Sequence, residues 1–84
     1  MTPSTSLLEL IAAGFTQVTG RPAPAIALDD DIAGLGLDSL AMLELVAWSE
    51  EQLGVRVPDE ELTTVRTVGD LVTSFSARLD AGTP

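Results

Sequence analysis

The side chain with the most useful chemistry is the hydroxyl of Ser39, in the segment Leu35-Gly36-Leu37-Asp38-Ser39-Leu40. The spacing places Ser39 at the start of a helix, where free N–H groups and the helix dipole favour an anion such as a phosphodiester. A serine in a rigid helix start can also be presented to a modifying enzyme. Asp38 and Ser39 equally suit a plain helix cap. Asp-Ser-Leu alone does not separate the two, because the tripeptide occurs by chance in many chains. Other chemistry has less support. The chain has no Cys and no His, which removes disulfides, thiolate catalysis, histidine bases and His- or Cys-based metal sites. Any thiol must arrive on a cofactor. Glu50-Glu51 and Glu60-Glu61 are adjacent pairs, and neighbours on a helix do not face each other, so they read as solvated surface. Asp29-Asp30-Asp31-Ile32-Ala33-Gly34 opens like a calcium loop. However, Ala33 replaces a ligand, and Leu40 stands where a bidentate glutamate is needed. No catalytic residue and no metal site is assigned.

The elements that must position Ser39 come from 84 residues, which is room for one domain with a modest core. Apolar residues make up 45% and aromatics 4%, so the core is built mainly from Leu, Val, Ile and Ala. Ser6-Leu7-Leu8-Glu9 fits a capping box. Leu7, Leu8, Ile11, Phe15 and Val18 follow on one helical face, with Gly20 as a stop. Residues 21–37 form a long connection. Its Ile26, Leu28, Ile32, Leu35 and Leu37 predict that it lies across the helices and pins itself with those side chains. Gly34 and Gly36 supply backbone freedom just before the next element. The second helix runs from Asp38-Ser39 to about Leu53, ended by Gly54. Pro58 and three acids open a short third helix, soon interrupted by Thr63, Thr64 and Val65. Thr67 and Asp70 cap a fourth, whose apolar face is Val68, Leu71, Val72, Phe75 and Leu79. The fold class is all-α: a small bundle of three main helices plus one short helix, with a long loop between the first two. The ordered core is expected over about residues 5–80 of a single domain, with a frayed end from Ala81 to Pro84.

Thirteen acids face four arginines and no lysine, for a net charge of −9. Such a surface repels nucleic acid and anionic membranes. A protein with a basic patch is the natural partner, although acidity can also serve solubility alone. Nothing from Met1 to Ser6 resembles a signal peptide and no stretch is long enough to span a bilayer, so the expected location is cytoplasmic.

Taken in order, several segments together resemble the acyl carrier protein family. They are Leu35-Gly36-Leu37-Asp38-Ser39-Leu40, then Glu44-Leu45-Val46 with Glu50 and Glu51, Val57-Pro58-Asp59-Glu60-Glu61, and Thr67-Val68-Gly69-Asp70-Leu71. The resemblance spans roughly residues 5 to 80. It implies that Ser39 carries 4′-phosphopantetheine, delivered from coenzyme A by a phosphopantetheinyl transferase. The arm's thiol would hold acyl groups as thioesters for partner enzymes, so the chain itself is no enzyme. Asp38 is then a cap or part of the surface read by the transferase. The implied partners are acyl-loading and acyl-processing enzymes of ketosynthase, acyltransferase or ligase type, met by a free-standing monomer in polyketide or fatty-acid synthesis. An aminoacyl or peptidyl carrier of nonribosomal synthesis is an alternative, and Asp38 before the serine favours the acyl class. A second alternative is an acidic helical adaptor that is never modified.

On a helical wheel the second helix divides into two sectors. Met42, Leu45, Val46, Ser49 and Leu53 fall on the core side, with Leu43 at the edge. Leu40, Ala41, Glu44, Ala47, Trp48 and Glu51 fall on the side expected to face solvent and partners. Ala41 stands where familiar fatty-acid carriers often have an acid. Trp48 is either an exposed interface anchor or a side chain folded over a neighbouring helix.

Overall fold

Apolar residues at helical spacing bury one face of each long helix, and the described core is where those faces meet. The computed structural model describes residues 3–81 and the side chains of residues 7–79. Four helices occur among them: α1 Pro3–Thr19, α2 Ser39–Leu53, α3 Asp59–Leu62 and α4 Val68–Ala81. There is no strand among the described residues, and the architecture is the expected all-α bundle. α1 packs against both α2 and α4. Leu7, Ile11 and Phe15 of α1 meet Leu45 and Val46 of α2 and Val68, Leu71, Val72 and Phe75 of α4 in one buried cluster. Val57 and Leu62 close the cluster from the α3 side.

The helix limits follow from local chemistry, with one difference at the start. α1 begins at Pro3, earlier than a capping box at Ser6 implies. Proline is tolerated in a first turn because its missing N–H would have no helical partner there. The side chain of Ser6 lies outside those described. Gly20 and Gly54 end α1 and α2 as expected, each donating its N–H to a carbonyl four residues back. At the start of α4 the capping box forms in both directions. The Asp70 N–H donates to Thr67 Oγ1 at 3.0 Å, and the Thr67 N–H donates to Asp70 Oδ2 at 3.1 Å.

The long connection crosses the bundle as predicted, but is fixed partly by its backbone. Ile32 and Leu37 are buried, and Ile26 and Leu35 pack against the core. Leu28 does not: it is 42% exposed. Its carbonyl instead accepts from the Gly69 N–H at 2.6 Å. Two more bonds flank that contact, from Ile32 N–H to the Arg66 carbonyl and from Val68 N–H to the Asp30 carbonyl, each 2.9 Å. They frame an isolated antiparallel bridge between Asp31 and Thr67. Asp30 braces the loop from within, since its carboxylate accepts from the Ala27 N–H at 2.8 Å. A short 3₁₀ turn, Ala33–Leu35, follows. Gly36 then closes it in the left-handed region at φ 84°, a conformation costly for any residue with a Cβ.

Glu50 is also not mere solvated surface. Its carboxylate accepts from the Val57 N–H at 2.6 Å, and its carbonyl accepts from Gly54 and Val55. One residue therefore fixes the turn leading to α3. At the other side of α3, Glu61 pairs with Arg78 of α4.

A Cβ at Gly69 would stand 2.9 Å from the Leu28 carbonyl oxygen, whereas one at Gly34 would make an ordinary 3.6 Å contact with Asp31. Gly69→Ala is expected to lower unfolding free energy by about 1–3 kcal/mol. Gly34→Ala should stay within about 0.5 kcal/mol of the native chain. Equal midpoints in urea for the two variants would contradict this account of the crossing. Asp70 offers a second check. Backbone N–H donors from Arg66 and then Thr67 hold its carboxyl below the ordinary carboxylate value. Its stabilising contribution is thus complete above the ordinary Asp range and is lost as pH falls through the lowered folded value. The stability gap between the native chain and Asp70→Asn should shrink on acidification, read from denaturation curves at stepped pH.

Candidate functional site

Leu37 is buried and anchors the chain immediately before α2. Asp38 then takes extended backbone angles as N-cap of α2, and Ser39 is the first helical residue. The Asp38 carboxylate accepts from the Ala41 N–H at 2.8 Å, and its carbonyl accepts from the Met42 N–H at 2.8 Å. Asp38 therefore caps the helix. Ser39 is exposed, and it opens the fifteen-residue helix α2, which serves as its mount with the positive dipole end at the serine.

Two depressions border Ser39. The larger, about 470 Å³, lies between the long connection and the α3–α4 joint. Its walls are Asp31, Ile32, Ala33, Leu37, Asp38, Met42, Val65 and Arg66 beside Ser39. The smaller, about 210 Å³, lies between α2 and α3 and is lined by Ser39, Met42, Leu43, Asp59, Leu62 and Thr63. A hydroxyl between two such depressions can be esterified by a phosphate while the rest of the substituent lies along the protein or swings free.

The outer face of α2 largely follows the helical wheel. Leu40 is 65% exposed, and Glu44, Ala47 and Glu51 are exposed. Ala47 and Glu51 also line a shallow depression with Glu50, Gly54, Val55 and Arg56 at the far end of the helix. Three assignments change. Ala41 is half-buried and packs against the core rather than facing solvent. Leu43 is 50% exposed, because α3, only one turn long, does not cover it. Leu40 and Leu43 thus form the exposed apolar pair beside Ser39. Trp48 is half-buried over α1. A Cβ on Gly14 would lie 3.0 Å from Trp48 Cε3 and 2.3 Å from Leu45 Cδ1. The missed signal was Gly14 itself, a glycine in an otherwise apolar helix that leaves room for a bulky neighbour.

Residues 5–75 match the family model described as a phosphopantetheine attachment site. The acyl carrier protein of Arthrobacter sp. (strain FB24) is 41% identical over 78 residues, which cover 87% of this chain and 95% of that protein. The chain belongs to the acyl carrier protein family. It is also similar to the meromycolate extension acyl carrier protein of Mycobacterium leprae (strain TN), 41% identical over 64 residues covering 75% of this chain and 56% of that one. Two solved structures share the fold. An acyl carrier protein from Thermotoga maritima superposes with a TM-score of 0.89 at 22% identity, covering 95% of this chain and 94% of its own. The acetyl actinorhodin acyl carrier protein from Streptomyces coelicolor does so at 0.73 with 25% identity, covering 99% and 95%.

Acyl carrier proteins are carriers and not enzymes, and the cofactor this family implies is a covalently attached 4′-phosphopantetheine. The group supplies a thiol, which a chain without cysteine lacks. The residues present fit it: an exposed serine hydroxyl on a capped helix start, with a cation and apolar side chains in the adjoining depression. Such carriers interact with phosphopantetheinyl transferases and with biosynthetic enzymes. No described helix is long and apolar enough to cross a membrane.

Proposed function

We propose that Ser39 is the residue that carries the arm. The supporting observation is its position: exposed, first in a fifteen-residue helix, and capped by Asp38 within the span that matches the family. In the attachment reaction the Ser39 Oγ attacks the phosphorus of coenzyme A that bears the pantetheine. The P–O bond to serine forms as the pyrophosphate bond breaks, releasing the adenosine 3′,5′-bisphosphate half, and the hydroxyl proton leaves to a base of the transferase. The chain then presents thioester cargo in polyketide or fatty-acid biosynthesis. It does so as a monomeric, cytoplasmic carrier domain. The related carriers named for meromycolate extension and for actinorhodin support that pair of pathways.

Partners of ketosynthase, acyltransferase or ligase type dock on the outer face of α2. Leu40, Glu44, Ala47 and Glu51 form the exposed strip, with Ala41 and Trp48 at its half-buried margins. Partner cations meet the glutamates, which speeds encounter more than it strengthens the complex. Trp48 contributes through packing on α1 that fixes the strip.

Intact mass after incubation with coenzyme A and a broad-specificity transferase tests the attachment. The native chain should gain one phosphopantetheine and Ser39→Ala none. A gain on Ser39→Ala equal to that of the native chain would falsify the assignment. For the docking strip, Glu44→Arg with Glu51→Arg should lower kcat/KM for transfer about tenfold at low salt. The deficit should narrow at high salt, where exposed charges are screened. An unchanged rate at low salt would remove these glutamates from the interface.

A further inference from the structure

The arm needs somewhere to rest between partners, and the larger depression beside Ser39 has an unusual charge for this protein. It holds one of only four arginines in a chain of net charge −9. The other three are engaged or remote. Arg78 pairs with Glu61, Arg21 lies over the Phe15 ring, and Arg56 lines the depression at the far end of α2. Arg66 forms no salt bridge among the described residues. Its backbone, by contrast, is held twice. The N–H donates to Asp70 and the carbonyl accepts from Ile32. The guanidinium feels the Asp70 carboxylate through space but makes no ion pair with it, and it stands on a fixed base at the wall of the cleft that Ser39 lines.

A phosphodiester on Ser39 would add a negative charge beside the carboxylates of Asp31 and Asp38, which also line this cleft. Without a counter-charge those groups would push the arm outward. We infer that Arg66 clamps the phosphodiester of the serine-bound arm and lays the arm's dimethyl segment against Ile32, Ala33, Met42 and Val65. Guanidinium suits this task because its fork of N–H donors matches two phosphate oxygens at once. A cleft of about 470 Å³ has the size of an ordinary small-molecule site. Arg66 is a positioning residue for the arm. It sets where the arm rests and takes no part in the attachment chemistry. The inference rests on Ser39 being the attachment residue.

The test uses NMR spectra of the apo and arm-bearing full chain, with mass as the independent readout. In the native chain, attachment should shift the Arg66 Nε–H resonance and give NOEs from the arm's geminal methyls to Met42 and Val65. Arg66→Gln should gain the same mass, keep the native amide pattern in the apo form, and lose those NOEs. Arg66→Lys should retain part of them, and added salt should weaken them in the native chain. Full mass gain with no cleft NOEs, or NOEs undiminished in Arg66→Gln, would overturn the clamp while leaving Ser39 in place. No mass gain on the native chain would overturn both.

Discussion

The long connection between α1 and α2 is held across the bundle by backbone groups that pair with the α3–α4 joint. Three N–H donors, those of Ile32, Val68 and Gly69, close this crossing. A connection of this length carries many polar backbone groups, and each must be paired or solvated if it is to lie over an apolar core. Pairing some of them with the start of α4 lets Ile32 and Leu37 go inward without stranding the main chain. The crossing therefore decides where α2 begins. It also builds one wall of the cleft at Ser39, since Ile32 and Ala33 stand on one side and Val65 and Arg66 on the other.

The helix start adds a division of labour between neighbouring residues. Leu37 faces in, Asp38 satisfies a helix N–H, and Ser39 faces out. Burial of the first and capping by the second fix the backbone, so the third is presented without being consumed by the fold. A serine that served as the cap would have its oxygen committed to a backbone donor. Placing the cap one residue earlier leaves the hydroxyl available. The same economy governs charge. Glu44 and Glu51 face solvent along α2, while arginines are few and mostly engaged.

Much of this was legible in the sequence because it is local. Periodic Leu, Val and Ile, glycine stops and the Thr67–Asp70 capping box depend on residues within a turn or two of each other, so composition and spacing report them directly. The parts that were not legible join residues distant in the chain or act through the main chain. Leu28 looked like a side-chain anchor, but its carbonyl makes the bond, and the carbonyl is common to every residue. Glu50 resembled one half of a surface pair until the fold brought the Val57 N–H to it. Leu43 sat on the boundary of two sectors, and the shortness of α3 decided its exposure. Trp48 required knowing that Gly14 on another helix makes room. For the site, the serine and its cap were readable as a motif. Arg66 was not, because only the crossing brings it beside Ser39.

α3 shows how a one-turn element is held. Four residues are too few to sustain a helix by their own hydrogen bonds. It is held at its approach by the Glu50 carboxylate, from within by Leu62, and on its flank by Arg78. The flanking ion pair is about one-third exposed on each side, within reach of screening by dissolved ions. α3 therefore depends on its neighbours for its shape, with Leu62 as its one buried tie to the core shared by α1, α2 and α4. α3 supplies Asp59 and Leu62 to the smaller depression, whereas the larger one is bounded by the hydrogen-bonded crossing. Two neighbouring recesses at one serine therefore differ in kind: one has a wall held on its flank by an ion pair that salt can screen, and the other has a wall sewn to the main chain.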